Sequence, residues 1–88
     1  SEEVRELIVE ELKAIDPNAL TEKGKIRSYK IDDASIRHNP MGGIMFDIIV
    51  NDSISMVGKM GIQKDGGSKQ LSSVGMDESA GLQALVGE

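Results

Sequence analysis

The sequence contains no cysteine and no tryptophan. Without thiols, a disulfide framework and every thiolate metal site are excluded. The 88 residues must hold together by packing alone. A chain this short buries roughly 60–65% of the surface its unfolded form exposes, which leaves stability on the order of a few kcal/mol unless a ligand or partner adds to it. The lack of cysteine does not fix the compartment. Aromatics are almost absent: Tyr29 and Phe46 are the only two, too few for a platform that stacks bases or sugars. No run approaches the roughly 18 apolar residues of a membrane span, so residues 1–88 are not expected to insert into a bilayer. Residues 1–88 do not themselves read as containing a secretory signal. The chain opens on Ser1, as it would after removal of an initiator or as a piece of a longer protein.

Positive charge is also scarce. Ten Lys and Arg stand against fifteen Asp and Glu, for a net charge of −5. That argues against nucleic acid, whose phosphates demand a basic face, and against an anionic membrane surface. Lys23, Lys25, Arg27 and Lys30 lie close together, but they read as solvated strand and turn residues on a mixed-charge surface.

What is present is a pattern of alternating apolar residues around one turn. His38-Asn39-Pro40-Met41-Gly42-Gly43 reads as a sharp connection, with Pro40, Gly42 and Gly43 there for backbone geometry. The strand after it is the strongest in the chain. Ile44, Phe46, Ile48 and Val50 form one wholly apolar row, which predicts the core face. Residues 1–16 predict a helix, because Val4, Leu7, Ile8, Leu12 and Ile15 follow the i, i+3, i+4 spacing of one face. Asp16-Pro17 ends it. In the connection that follows, Gly24 is expected at a positive φ and Leu20 under the edge of the core.

Lys25 to His38 predicts one long interrupted strand. Tyr29 and Ile31 share a face, Ile36 and His38 share a face, and the parity slips by one residue across Asp32-Asp33-Ala34, as a β-bulge or a split strand would make it. Asn51-Asp52 predicts a tight hairpin turn. Ile54, Met56, Met60 and Ile62 then alternate, with Gly58 in the same row. Asp65-Gly66-Gly67 marks a third turn. Lys69 to Val74 predicts a weaker edge strand, guarded by Lys69 and serines. Asp77 is a candidate cap for a short helix over 77–86, weakened by Gly81 and Gly87.

The expectation is therefore one α+β domain over 1–88: helix 1–16 on a three- to four-stranded antiparallel meander over about 25–74, with a short C-terminal helix. The helix is expected to lie over Ile44, Phe46, Ile48, Ile54, Met56 and Met60. The second sheet face is not cleanly polar, since Met45, Ile49 and Val57 share it. Scattered exposure, cover by the C-terminal helix, and a partner or self-association each account for that.

Chemistry is sparse. His38 is the only histidine, and no oriented neighbour makes it a base. Ser35 lies three residues upstream, a spacing that sends the two side chains to opposite faces of a strand. One His and no Cys exclude the common zinc sets, and Asp32, Asp33, Asp47 and Asp52 lack calcium-loop spacing. Met56 and Met60 read as core packing. Gly66-Gly67-Ser68-Lys69 lacks the spacing and the following helix of a phosphate loop. No cofactor is expected, and the chain does not read as an enzyme.

The segments Asp16 to Thr21, Gly24 to Ile26, Ser28-Tyr29, Ile31-Asp32, Ser35-Ile36 and above all His38 to Ile44 resemble a family of small, uncharacterised proteins of Gram-positive bacteria. The resemblance covers about 12–52. It implies a short hydrophobic segment ahead of this domain and a protein that is exported or membrane-tethered, and it implies no activity.

The functional expectation is a non-enzymatic extracytoplasmic domain that binds a protein or envelope component through Met45, Ile49 and Val57, with self-association as a variant of the same idea. The alternative is a small-ligand or peptidase-regulating module, for which Tyr29 and His38 would line a pocket between helix and sheet. A hydrolase using His38 is the weakest reading.

Overall fold

The apolar spacing at the start of the chain forms the helix it predicts, α1 (Glu2–Ile15), in a computed structural model that describes residues 2–38, 40, 42–64 and 70–87. Ile8 and Leu12 are fully buried, with Val4, Leu7 and Ile15 packed beside them. Each buried aliphatic contributes about 1.5–3 kcal/mol. Glu2 and Glu3 stand in the first turn and Lys13 in the last, matching the helix dipole at both ends. The Asp16 amide still donates to the Leu12 carbonyl at 2.9 Å, and Pro17 stops the helix there.

Asp16 does more than end α1. Its side chain is 8% exposed. Oδ2 accepts the backbone N–H of Lys25 at 2.8 Å and of Ile26 at 2.9 Å, and Oδ1 accepts that of Asn18 at 3.2 Å. This clamp folds the connection back and buries Ala19 and Ile26. Leu20 does not tuck under the core. Its amide bonds the Ile26 carbonyl, its φ is 65°, and the resulting turn leaves it 36% exposed while Ala19 fills the core. Gly24 is not at a positive φ either. It is needed for close approach, since a Cβ there would stand 2.1 Å from the Asn18 carbonyl oxygen.

Four strands follow as an antiparallel meander in the order β1 (Tyr29–His38), β2 (Ile44–Val50), β3 (Val57–Lys64) and β4 (Leu71–Glu78). β1 starts at Tyr29 and not at Lys25, because the preceding residues bond a side chain in place of a strand. Asn51 Oδ1 accepts the N–H of Arg27 and of Ser28, and its Nδ2 donates to the Lys25 carbonyl.

The parity slip in β1 is present and larger than one residue. Asp32 faces Asp47 while Arg37 faces Met45, so five steps along β1 span two along β2 and three residues are extra. Ser35 is buried in this irregularity. Its hydroxyl donates to the Asp32 carbonyl at 2.6 Å and accepts the Asp47 amide at 2.7 Å. An odd insertion exchanges the faces, so Ile31 before it and Ile36 after it lie on the same side of the sheet.

Phe46, Ile48, Val50, Met60 and Ile62 form the buried face. Ile44 departs from its row and is 40% exposed, because it lies at the end of the sheet beyond the full cover of α1. Ile54 departs further, at 88% exposed. Asn51 and Asp52 both take positive φ, but the connection is closed by the Val50 amide on the Met56 carbonyl and the Met56 amide on Ser53. Ile54 therefore sits in a loop, not in β3.

β4 runs four residues past the predicted Val74. Val74 and Gly75 together oppose Gly61, between the pairs Met60 with Met76 and Ile62 with Ser73. Gly75 at φ 110° makes this bulge possible and lets the strand continue. Asp77 consequently lies in β4 opposite Lys59, and the cap of α2 (Ala80–Val86) is Ser79. Ser79 Oγ accepts the Leu82 and Val57 amides and donates to the Ser55 carbonyl. Replacing Ser79 with alanine should cost about 1–2 kcal/mol in urea unfolding; an unchanged midpoint would show that the cap is idle.

Leu82 is fully buried in the same cluster as Ile8 and Leu12, with Leu85 and Val86 beside it. Both helices thus seal one face, and α2 does not cover the other. Asn39 and Met41 of the central turn, the 65–67 turn and Lys69 lie outside the described residues. Of the central turn's glycines, Gly42 has φ 98°, whereas Gly43 approaches the Ile62 carbonyl.

Candidate functional site

Because Phe46, Ile48 and Val50 point into the core, Met45, Asp47 and Ile49 point the other way. The strand register builds an outer face from them. Ile49 faces Lys30 on β1 and Val57 on β3. Asp47 faces Asp32 and Lys59, and Lys59 faces Asp77. Met45 faces Arg37 and Gly61. Val74 leans across Gly61, where a Cβ would meet its Cγ2 at 2.5 Å. A charged row is flanked by two partly apolar rows. Met45, Ile49 and Val57 are half-buried by their neighbours, and Val74 is 61% exposed. The predicted trio therefore shares one face but not one patch: Ile49 sits beside Val57, and Met45 stands across the charged row, where Val74 joins it. Sequence reading missed Val74 because the bulge after it sets which way it points.

The charges of this face balance. Asp32, Asp47 and Asp77 offset Lys30, Arg37 and Lys59. The acidic excess lies elsewhere, notably in Glu2, Glu3, Glu6, Glu10 and Glu11 of α1 against Arg5 and Lys13. Only Lys30 of the six makes an ion pair among the described residues, with the exposed Asp52 at 3.9 Å, a contact worth well under about 1 kcal/mol. Asp47 Oδ1 is buried without a hydrogen-bond partner among the described residues.

Tyr29 and His38 are not brought together. They stand at opposite ends of β1, Tyr29 facing Val50 and His38 facing Ile44. Tyr29 borders a shallow cleft with Val4, Arg5, Ile8, Ile31 and Asp33, and His38 is exposed. The pocket expected between them does not form, because the ten residues of β1 hold the two apart by roughly 30 Å of extended chain at most. Ser35 has its hydroxyl proton on the Asp32 carbonyl. Among the described residues, no three His, Cys, Asp or Glu side chains cluster as metal ligands.

A different concavity exists on the helix side of the sheet. It has a volume of about 400 Å³. Val4 of α1, Ile31 and Ile36 of β1, Ile44 and Phe46 of β2, and Ile62 and Leu71 of β3 and β4 form its walls, with the exposed Gly42, Gln63 and Lys64 completing it. The inserted residues of β1 make this groove, since they return Ile36 to the inner face near the first turn of α1. Period-2 reading placed Ile36 but gave no sign that the helix would leave it uncovered.

These elements define a two-layer α+β domain with one sheet face covered by helices except at the groove and the other face uncovered by either helix. Among the described residues no helix is long and apolar enough to cross a membrane. Residues 1–85 match the family described as Protein of unknown function (DUF1310), and the chain belongs to that family. No curated protein and no solved structure matches it.

Proposed function

We propose that this is a non-catalytic domain that holds a protein partner of the cell envelope against its outer sheet face, and that it works outside the cytoplasm as an exported or membrane-tethered protein of Gram-positive bacteria. The carrying observation is the uncovered face itself. Two helices lie on one side of the sheet, and on the other Ile49 sits beside Val57 and Met45 beside Val74, two apolar rows with a charged row between them. A solvated antiparallel face normally alternates to polar residues, and apolar side chains grouped on one face mark contact sites more often than scattered ones do. The extracytoplasmic location rests on the resemblance of residues 12–52 to small exported proteins.

A photo-reactive amino acid at position 49 should capture one discrete protein in envelope fractions of cells making the full-length product. The same group at Lys13, on the opposite side of the domain, should not. Met45→Glu combined with Ile49→Lys should abolish the adduct while shifting Tm by only roughly a few degrees. Equal labelling from both positions, or none from position 49, would overturn the proposal. An adduct of twice the chain mass, with a sedimentation coefficient that rises with concentration, would identify the partner as a second copy.

A further inference from the structure

We propose that the groove at the open end of the helix–sheet interface binds a single-chain anionic amphiphile, of the long-chain carboxylate type, with its hydrocarbon chain against Ile36, Ile44 and Phe46 and its head group at Lys64. This site lies on the face opposite the proposed protein contact and does not depend on it.

Three observations carry the inference. The first is shape: about 400 Å³ falls within the roughly 300–1,000 Å³ of small-molecule sites. The second is exposed apolar surface. Elsewhere the inner face is sealed, with Ile8, Leu12, Ile48, Val50 and Met60 at 1% exposure or less, yet Ile36 is 46% and Ile44 40% exposed at the groove. An occupant that covers them recovers the burial the fold leaves incomplete. The third is the chemistry of the lining. Its apolar walls are aliphatic apart from Phe46, with Gln63 and Lys64 at the rim, so it offers a flexible chain contact along its length and offers a flat heterocycle no stacking pair.

Charge selects the head group. Lys64 borders the groove, is exposed, and has no ion pair with a described residue. His38 is paired with Ile44 across the strands. Glu3, on the first turn of α1, has one carboxylate oxygen on the Leu71 amide at 3.1 Å. The Lys64 ammonium beside the apolar opening favours an anion there, locally opposing the chain's net charge of −5.

The test is a titration of the full chain with decanoate, dodecanoate and tetradecanoate below their micelle concentrations, followed by the methyl resonances of its isoleucines and valines. Saturable 1:1 shifts should centre on Ile36, Ile44 and Val4. Affinity should rise about fourfold per added methylene. Lys64→Glu should weaken dodecanoate binding roughly threefold to fivefold and strengthen that of dodecyltrimethylammonium, while Lys59→Glu on the outer face should change neither. Ile36→Asp should abolish binding; because Ile36 is already half exposed, its melting curve should stay close to that of the parent. Ile44→Phe, which fills the groove with apolar bulk, should weaken binding without unfolding risk from a buried charge. Shifts centred on Ile49 and Val57, affinity independent of chain length, or no response to Ile36→Asp and Ile44→Phe would overturn the assignment. Closure of the groove by self-association, seen as concentration-dependent shifts at Ile36 without ligand, would overturn it as well.

Discussion

Asp16→Ala should lower the unfolding free energy at neutral pH by roughly 2–3 kcal/mol, a large share of what a chain this short possesses. The carboxylate accepts three backbone N–H groups, of Asn18, Lys25 and Ile26. Ile26 is completely buried, so its amide would be left without a partner and without water. Bonds to a charged acceptor are stronger than those to a neutral one. The same bonds hold the Asp16 carboxyl below its usual value of 3.8, the Ile26 amide most of all, while burial pulls in the opposite direction.

The pH dependence follows from that direction. The folded pKa is lower than the unfolded one, so Asp16 contributes its full stabilisation above the unfolded value of about 3.9. That stabilisation is lost as pH falls through the folded pKa. The difference between parent and variant should therefore be largest near neutrality and shrink below about pH 4. Urea unfolding of both proteins at a series of pH values measures it. A gap that stays constant into acid would show that the charge of Asp16 has no part in the clamp.

Gly81→Ala should destabilise the domain by about 2–4 kcal/mol, although alanine is the better helix former by about 1 kcal/mol. A Cβ at position 81 would stand 2.1 Å from the Ser55 carbonyl oxygen and 2.9 Å from its carbon. Backbone atoms cannot swing away as a side chain tip can. The Ser55 carbonyl is also held by the Ser79 hydroxyl, so α2 must lift from the 51–56 loop. Lifting α2 uncovers Leu82, which is fully buried in the core. Hydrogen exchange should show the loss as faster opening of residues 79–86 than of α1. A variant as stable as the parent would mean that the helix has room to shift.

Periodicity made the layers legible. α1 could be read from five apolar positions, and the core row Phe46, Ile48 and Val50 from strict alternation. Even the interruption of β1 showed as a break in parity, although its size did not, because one extra residue and three leave the same trace on a period of two. Tertiary hydrogen bonds were not legible. Asp16 read as a helix stop and Asn51 as a turn residue, yet each anchors amides across a gap in the chain. Nothing in the local pattern encodes such a partner. Ile54 misled for a related reason: the loop that expels it preserves the alternation around it. Of the candidate contact face, Met45, Ile49 and Val57 were legible as a mixed second row. The groove was not, because it depends on where the β1 insertion falls relative to the first turn of α1.

The two outermost strands have a consequence for how the molecule behaves in a crowd. β1 and β4 are the free edges of the sheet, and a straight free edge invites copies to add on, strand by strand, into a ribbon. Neither edge is straight. β1 is broken by its three-residue register shift and β4 by the Gly75 bulge, and Glu3 of α1 occupies the Leu71 amide. The rims of the domain are thereby kept from templating endless assembly.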